Sequence, residues 1–271
     1  LVNSNGATTI SRFDYTLYDK IGNRKIMVEE SPSVPTPGTH NYTYDVLNRL
    51  LNATHPQVEN PAETFSYDAV GNRLSSHLST AYRYDIANRL LEDDTYLYTY
   101  DNNGNLTEKF GKSSDNTTRY FYDTENQLIA TALPNGDLAE YRYDGLGRRI
   151  QKSITPASGP VVITRYIYDN EDILFEYDGT NTLLALYTHG PGIDEPLIMS
   201  RGGMDYFYHV DGLGSVKEIT DITGTVGQTY TYDSFGRIMN IQNTTFSQPY
   251  TYTGREYDPE SGLYYYRARY Y

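Results

Sequence analysis

The 271-residue chain has no cysteine and no tryptophan. Without thiols it can build neither a disulfide framework nor a thiolate metal site. Basic residues are scarce: 22 Lys and Arg stand against 35 Asp and Glu, a net charge of −13. That balance argues against nucleic acid as a partner, because proteins that grip phosphate backbones carry a basic face. It argues equally against a polybasic membrane contact. No apolar run approaches the roughly 20 residues of a membrane-spanning helix, so no membrane insertion is expected. The first residue is Leu rather than Met and no charged-then-apolar leader follows it, so the chain reads as a segment of a longer product.

What the chain has in excess is tyrosine, 30 residues of it. The tyrosines sit in a recurring phrase: YTYDVLNRL at 42–50, FSYDAVGNRL at 65–74, YRYDIANRL at 82–90. Three residues beyond the Asp stands a residue of one kind. Asp19 leads to Gly22, Asp45 to Asn48, Asp68 to Gly71, Asp85 to Asn88, Asp101 to Gly104 and Asp123 to Asn126. Asp144 leads to Gly147, Asp178 to Asn181, Asp211 to Gly214 and Asp233 to Gly236; only Asp169 departs, leading to Asp172. Gly and Asn share the ability to take a positive φ at low cost. The leading Asp suits an Asx turn, its carboxylate accepting N–H groups two residues on. The phrase therefore predicts a type I turn closed by a left-handed residue, the hairpin connection that carries a bulge.

The flanks predict strands. Aromatic residues fall at i and i+2 before the Asp, as at Tyr42 and Tyr44, Phe65 and Tyr67, Tyr141 and Tyr143, which puts both rings on one face. The residues between them are Thr43, Ser66, Arg83, Thr99, Phe121, Arg142, Ile167, Phe207 and Thr231, mostly polar, so the second face is expected to be wet. An apolar residue is expected to open each return strand, among them Leu50, Leu74, Leu90, Leu128, Ile150 and Ile238, often after an Arg. The first eight Asp positions follow one another at intervals of 16 to 26 residues. That spacing accommodates a hairpin but is too short for a strand plus a crossover helix. The predicted fold class is all-β: tandem hairpins in a curved sheet, the tyrosine rings stacking from hairpin to hairpin and their hydroxyls reaching water or the turn Asp. Loops are expected at Glu29–His40, Thr54–Glu63, Lys112–Thr118 and Thr155–Pro160, with His189–Gly203 dividing the array from its ending.

The candidate residues are turn formers: Asp45, Asn48, Asp68, Gly71, Asp85, Asn88, Asp101, Gly104, Asp123, Asn126, Asp144, Gly147, Asp233 and Gly236. No catalytic, cofactor-binding or metal-ligating set is identified. His189, His209 and Asp211 read as strand and turn residues. GLGS at 212–215 lacks the spacing of a nucleophile elbow. DNNGN at 101–105 has Lys112 where a calcium loop needs its bidentate Glu. Tyr264, Tyr265 and Tyr266 read as packing rather than as a sugar platform. Sequons at Asn41, Asn52, Asn105, Asn116 and Asn243 matter only in a glycosylating host.

These phrases resemble the YD repeats of the RHS family, which includes bacterial polymorphic toxins, Tc toxin C components and teneurins. The resemblance spans nearly the whole chain. Its most specific part is YFYHVDGLGSVKEITDITGTVGQTYTYDSFGRI (206–238) followed by YTGREYDPESGLYYYRARYY (252–271), similar to the start of the RHS-associated core. The resemblance implies a sheet that spirals into a hollow shell around a C-terminal effector polypeptide. It divides residues 1–271, one repeat array, into hairpin repeats at 1–188 and a core-like ending at 204–271. Some members cut themselves with two aspartates in a motif after RARYYDP. The sequence given ends ahead of that motif, and Asp258 and Pro259 read as structural. The function implied is a non-catalytic shell or scaffold segment of a secreted protein, not an enzyme. Its partners would be its own flanking sequence or an effector, with sheet edges open to self-association. The alternative is a cell-surface adhesin or carbohydrate-binding module.

Overall fold

The computed structural model describes residues 1–113 and 116–271, and the backbone alone at Pro35 and Thr36. The chain divides into two compact units: residues 1–78 with 188–255, and residues 79–187 with 256–271. Both are antiparallel β structure. The first unit opens with β1 (Val2–Asn5), β2 (Thr8–Tyr18), β3 (Arg24–Ser31), β4 (Val34–Tyr44), β5 (Leu50–Thr54), β6 (Glu63–Tyr67) and β7 (Arg73–Ser76). These seven pair in sequence order into one sheet.

The second unit continues through β8 (Arg83–Tyr84), β9 (Leu90–Glu92), β10 (Tyr96–Tyr100), β11 (Leu106–Gly111), β12 (Thr117–Tyr122) and β13 (Leu128–Ala132). It then runs through β14 (Leu138–Tyr143), β15 (Arg149–Thr155), β16 (Val162–Asp169), β17 (Asp172–Asp178) and β18 (Leu183–His189), whose last two residues fall to the first unit. Here too each strand pairs with the next. The chain returns to the first unit as β19 (Pro196–Arg201), β20 (Met204–Val210), β21 (Val216–Asp221), β22 (Val226–Tyr232) and β23 (Ile238–Ile241). It closes in the second with β24 (Glu256–Asp258) and β25 (Leu263–Tyr265). Among the described residues the helical content is one 3-10 turn at Tyr252–Gly254.

Register explains the phrase. Each YD hairpin slips by one residue just before its last tyrosine: Thr43 faces Asn52 but Tyr44 faces Leu50, and Arg142 faces Gln151 but Tyr143 faces Arg149. This is the bulge that a left-handed fourth residue creates. Two expectations are corrected. Glu29–His40 is not a loop: β3 runs to Ser31 and β4 starts at Val34, because Met27, Glu29 and Ser31 alternate inward as a strand requires. In the expected division at His189–Gly203, β19 occupies Pro196–Arg201. Part of the Lys112–Thr118 loop lies outside the described residues.

The residues between paired aromatics are exposed at Thr43, Arg83, Thr99, Phe121, Arg142 and Ile167, giving the wet face. In β21 and β22 that alternation fails, and Glu218, Thr220, Thr229 and Thr231 are buried beside Val216 and Tyr230. The cause lies within the first unit. Ser11 of β2 hydrogen-bonds Glu218, Lys217 reaches Glu29 of β3, and residues 243–255 fold back so that Gln248 meets the Tyr230 hydroxyl. In the second unit the core of Tyr120, Leu128, Ala139 and Tyr141 is completed by Leu263 and Tyr270 of the C-terminal segment.

Candidate functional site

The turns are one geometry repeated. Asn48, Gly71, Asn88, Gly104, Asn126, Gly147 and Gly236 have φ of 64°, 99°, 62°, 90°, 62°, 79° and 89°. In each, the fourth residue donates its N–H to the carbonyl of the leading Asp, from 3.0 Å at Gly147 to 3.3 Å at Gly71. The carboxylate then gathers the exit. Asp45 Oδ1 accepts the N–H groups of Leu47 and Arg49, both at 2.9 Å, and Oδ2 takes Arg49 Nε at 2.6 Å. Asp85 with Arg89 and Asp144 with Arg148 repeat this pattern. At Asp68 and Asp101 the Oδ2 partner is the Nδ2 of Asn72 and Asn105. The Asp123 carboxylate likewise takes the N–H groups of Glu125 and Gln127. The Arg49 N–H and side chain hold the Asp45 carboxyl below its ordinary value.

Two correlations were not read from the sequence. In six of the phrases the last tyrosine donates its hydroxyl to the carbonyl five residues past an earlier turn Asp, not to the turn Asp itself. Tyr44 Oη reaches Arg24 O, Tyr67 reaches Leu50, Tyr100 reaches Leu90, Tyr143 reaches Leu128, Tyr168 reaches Arg149 and Tyr232 reaches Val216, at 2.6–2.9 Å. That is why Tyr and not Phe stands there. Where the fourth turn residue is Asn, its side chain does further work: Asn48 Oδ1 accepts from Asn23, and Asn126 Oδ1 from Asn103 and Asn105. A glycine cannot make that lateral bond.

Two expectations fail here for local reasons. Asp172 is not left-handed; the residue with positive φ is Asn170, in a two-residue connection where Asp169 pairs directly with Asp172. Leu74 and Ile150 do not open the return strands as inward residues and are 46% and 37% exposed. The inward position is the fifth after the Asp, which is Arg73 and Arg149. The same turn also occurs at Asp221–Gly224 and, without Asp, at Leu133–Gly136.

Beyond the turns, each unit buries a cluster of charge. In the first, Glu29 is fully buried on β3. Its carboxylate accepts from His40 Nε2 at 2.8 Å, Gln57 Nε2 at 3.0 Å and Ser31 Oγ at 3.0 Å, and pairs with Lys217 Nζ at 3.1 Å. Burial alone would raise the Glu29 carboxyl; Lys217 and His40 overcome it and hold the group well below the carboxylate range. The chain continues from His40 Nδ1 to His55 Nδ1 at 2.9 Å and from His55 Nε2 to Glu63 Oε1 at 2.6 Å. Three hydrogen bonds between two carboxylates and two imidazoles share three protons, one more than two neutral rings carry. Burial pushes the His40 pKa down, against the pull of the Glu29 carboxylate. His40, His55, Lys217, Asp233 and Ser234 line a cavity of about 530 Å³ in this unit. Nearby, Glu218 is pushed up to about 8 by burial.

In the second unit Arg149 of β15 is 1% exposed. Its guanidinium pairs with Asp258 and, at 2.7 Å, with Glu256, and lies 4.4 Å from the centroid of the Tyr265 ring. Lys152 adds bonds to Asp258 at 2.8 Å and Glu260 at 3.0 Å. Asp258 is thus the anchor of the C-terminal hairpin. Both charge clusters tie strands together.

A family model described as the teneurin YD-shell matches residues 10–271. The tRNA nuclease WapA of Bacillus subtilis is 33% identical over 241 residues, covering 84% of this chain and 10% of that protein. The double-stranded DNA deaminase toxin A of Burkholderia cenocepacia is 26% identical, covering 94% of this chain and 19% of that protein. A solved structure of the Photorhabdus luminescens Tc holotoxin pore contains a chain similar in fold, with a TM-score of 0.57 and 17% identity, over 98% of this chain and 17% of that one. The chain spans a tenth to a fifth of the length of these relatives.

Proposed function

The chain belongs to the teneurin YD-shell family, and on that premise we propose that it is a non-catalytic wall segment of a secreted RHS-type toxin, helping to enclose that toxin's C-terminal effector polypeptide. The observation that carries this reading is the stitching of successive hairpins by the tyrosine hydroxyl, Tyr67 to Leu50 or Tyr143 to Leu128. Such a module extends a surface by repetition and places its polar groups in holding that surface together. The buried carboxylates and histidines fit the same role, since Glu29 bonds His40, Gln57 and Lys217, each on another strand or loop of its own unit.

Limited proteolysis of the parent polypeptide tests enclosure. With the hairpin array intact, the C-terminal effector should survive a protease that digests the isolated effector within minutes. An effector cut equally fast with and without the array removes the reading. Saturable binding to a glycan panel by the purified chain would favour the adhesin alternative.

A further inference from the structure

We propose that Glu63, His77 and Asp233 form a binding site for a divalent first-row transition cation, with Zn²⁺ as the probe. All three belong to the first unit. Glu63 opens β6, His77 follows β7 in the same hairpin, and Asp233 heads the turn after β22. One ligand atom from each lies within 4.8 Å of the others. A tetrahedral zinc with bonds of about 2.0–2.1 Å places its ligand atoms roughly 3.4 Å apart, so no pair of ligand atoms would need to close by more than about 1.4 Å around the ion.

The Glu63 and His77 donor atoms are buried and without hydrogen-bond partners. Glu63 is 1% exposed, yet its Oε2 has no hydrogen-bond partner, and neither has Nδ1 or Nε2 of His77. Buried polar atoms are ordinarily paired, and an orphaned set aimed at one point needs a cause. Asp233 supplies a further departure. At Asp45, Asp85 and Asp144 the arginine four residues on covers Oδ2. Asp233 has Arg237 at the same position, but that arginine is exposed and only its backbone N–H bonds the carboxylate. Both hydrogen bonds that Asp233 accepts through its carboxylate, from Phe235 and Arg237 at 2.9 Å, fall on Oδ1.

The surroundings would orient the ligands. Glu63 Oε1 is fixed by His55 Nε2 at 2.6 Å and by the N–H and hydroxyl of Ser234, both at 2.9 Å, leaving Oε2 to point elsewhere. Partners of this kind conserve ligand geometry at metal sites. The Phe65 ring stands edge-on to His77 with centroids 5.8 Å apart. Arg73 lies over the Phe65 and Phe235 rings at 5.2 and 3.9 Å. Two carboxylates and one imidazole suit zinc, cobalt, nickel or manganese; the imidazole disfavours calcium and magnesium. Three protein ligands leave a fourth position for water or another group. The ion would pin the β6–β7 hairpin to the turn between β22 and β23. The proposal does not rest on the shell reading, since a scaffold and an adhesin could both carry such a pin.

The test uses the whole chain after treatment with chelator. Isothermal titration with Zn²⁺ should give one site at micromolar affinity or tighter, and the melting temperature should rise with the metal. His77→Ala should weaken binding at least 100-fold while its metal-free melt stays close to that of the parent. Cobalt gives a readout independent of the variants: visible d–d absorption of a four-coordinate site should appear at one equivalent and vanish when Zn²⁺ is added. No saturable zinc binding, unchanged binding in His77→Ala, or cobalt spectra of the free aquo ion would each overturn the site.

Discussion

The Arg149 guanidinium is ion-paired with the Asp258 carboxylate, each side chain 1% exposed, joining β15 to the hairpin that ends the chain. Removing one member of a buried pair strands the other charge without water. Asp258→Ala should therefore cost about 3–5 kcal/mol in denaturant-induced unfolding. Arg149→Met combined with Glu256→Gln and Asp258→Leu, which leaves Lys152 paired with Glu260, should recover much of that loss. A triple variant no better than the single would show that stranded charge is not the source of the cost.

Tyr67→Phe and Tyr143→Phe each delete one hydroxyl and leave the ring. Each should lose about 1 kcal/mol, because the Leu50 or Leu128 carbonyl loses that hydrogen bond. Amide exchange should quicken in the preceding hairpin, at residues following Leu50 or Leu128, rather than in the substituted strand.

At Asn126, φ of 62° and the bonds from Asn103 and Asn105 make separable contributions. Asn126→Gly keeps the turn and loses the lateral bonds, an expected cost of about 1 kcal/mol. Asn126→Val loses both and should cost roughly 1–2 kcal/mol more, since a β-branched residue resists the left-handed region. Equal melting temperatures for the two variants would refute the backbone part.

Acid and alkali should weaken the first unit for different reasons. Glu218 binds its proton more tightly folded than unfolded, so its contribution is complete below the ordinary Glu range and is lost as pH rises through about 8. Glu29 is depressed by Lys217 and His40, so its contribution is present above the ordinary range and is lost on acidification. Glu218→Gln should flatten the loss of stability between pH 5 and 8.5 and exceed the parent at pH 8.5 by roughly 1–3 kcal/mol. A parent whose stability rises steadily over that interval would contradict the assignment.

The hairpins were legible because their signal is local. An Asp and a Gly or Asn three residues apart specify a turn whatever surrounds them, and aromatic residues at i and i+2 specify a face. The clusters were not legible because their members are far apart in sequence: Lys217 meets Glu29, and Asp258 meets Arg149, only after folding. One signal was present and unread. In YDGLGRRI the second arginine occupies the position that Leu50, Leu90 and Leu128 hold elsewhere, and a charge at a core position announces a partner. The same offset places Arg73 and Arg24, each over an aromatic ring.

The tyrosine bond has a direction. In every instance the hydroxyl reaches back to a residue nearer the N-terminus: Tyr44 to Arg24, Tyr100 to Leu90, Tyr232 to Val216. A ribosome delivers the chain in that same order, so each of these bonds can form as soon as its tyrosine has emerged. The stitching can keep pace with synthesis, whereas the charge clusters at Glu29 and Arg149 close only when Lys217 and Asp258 arrive.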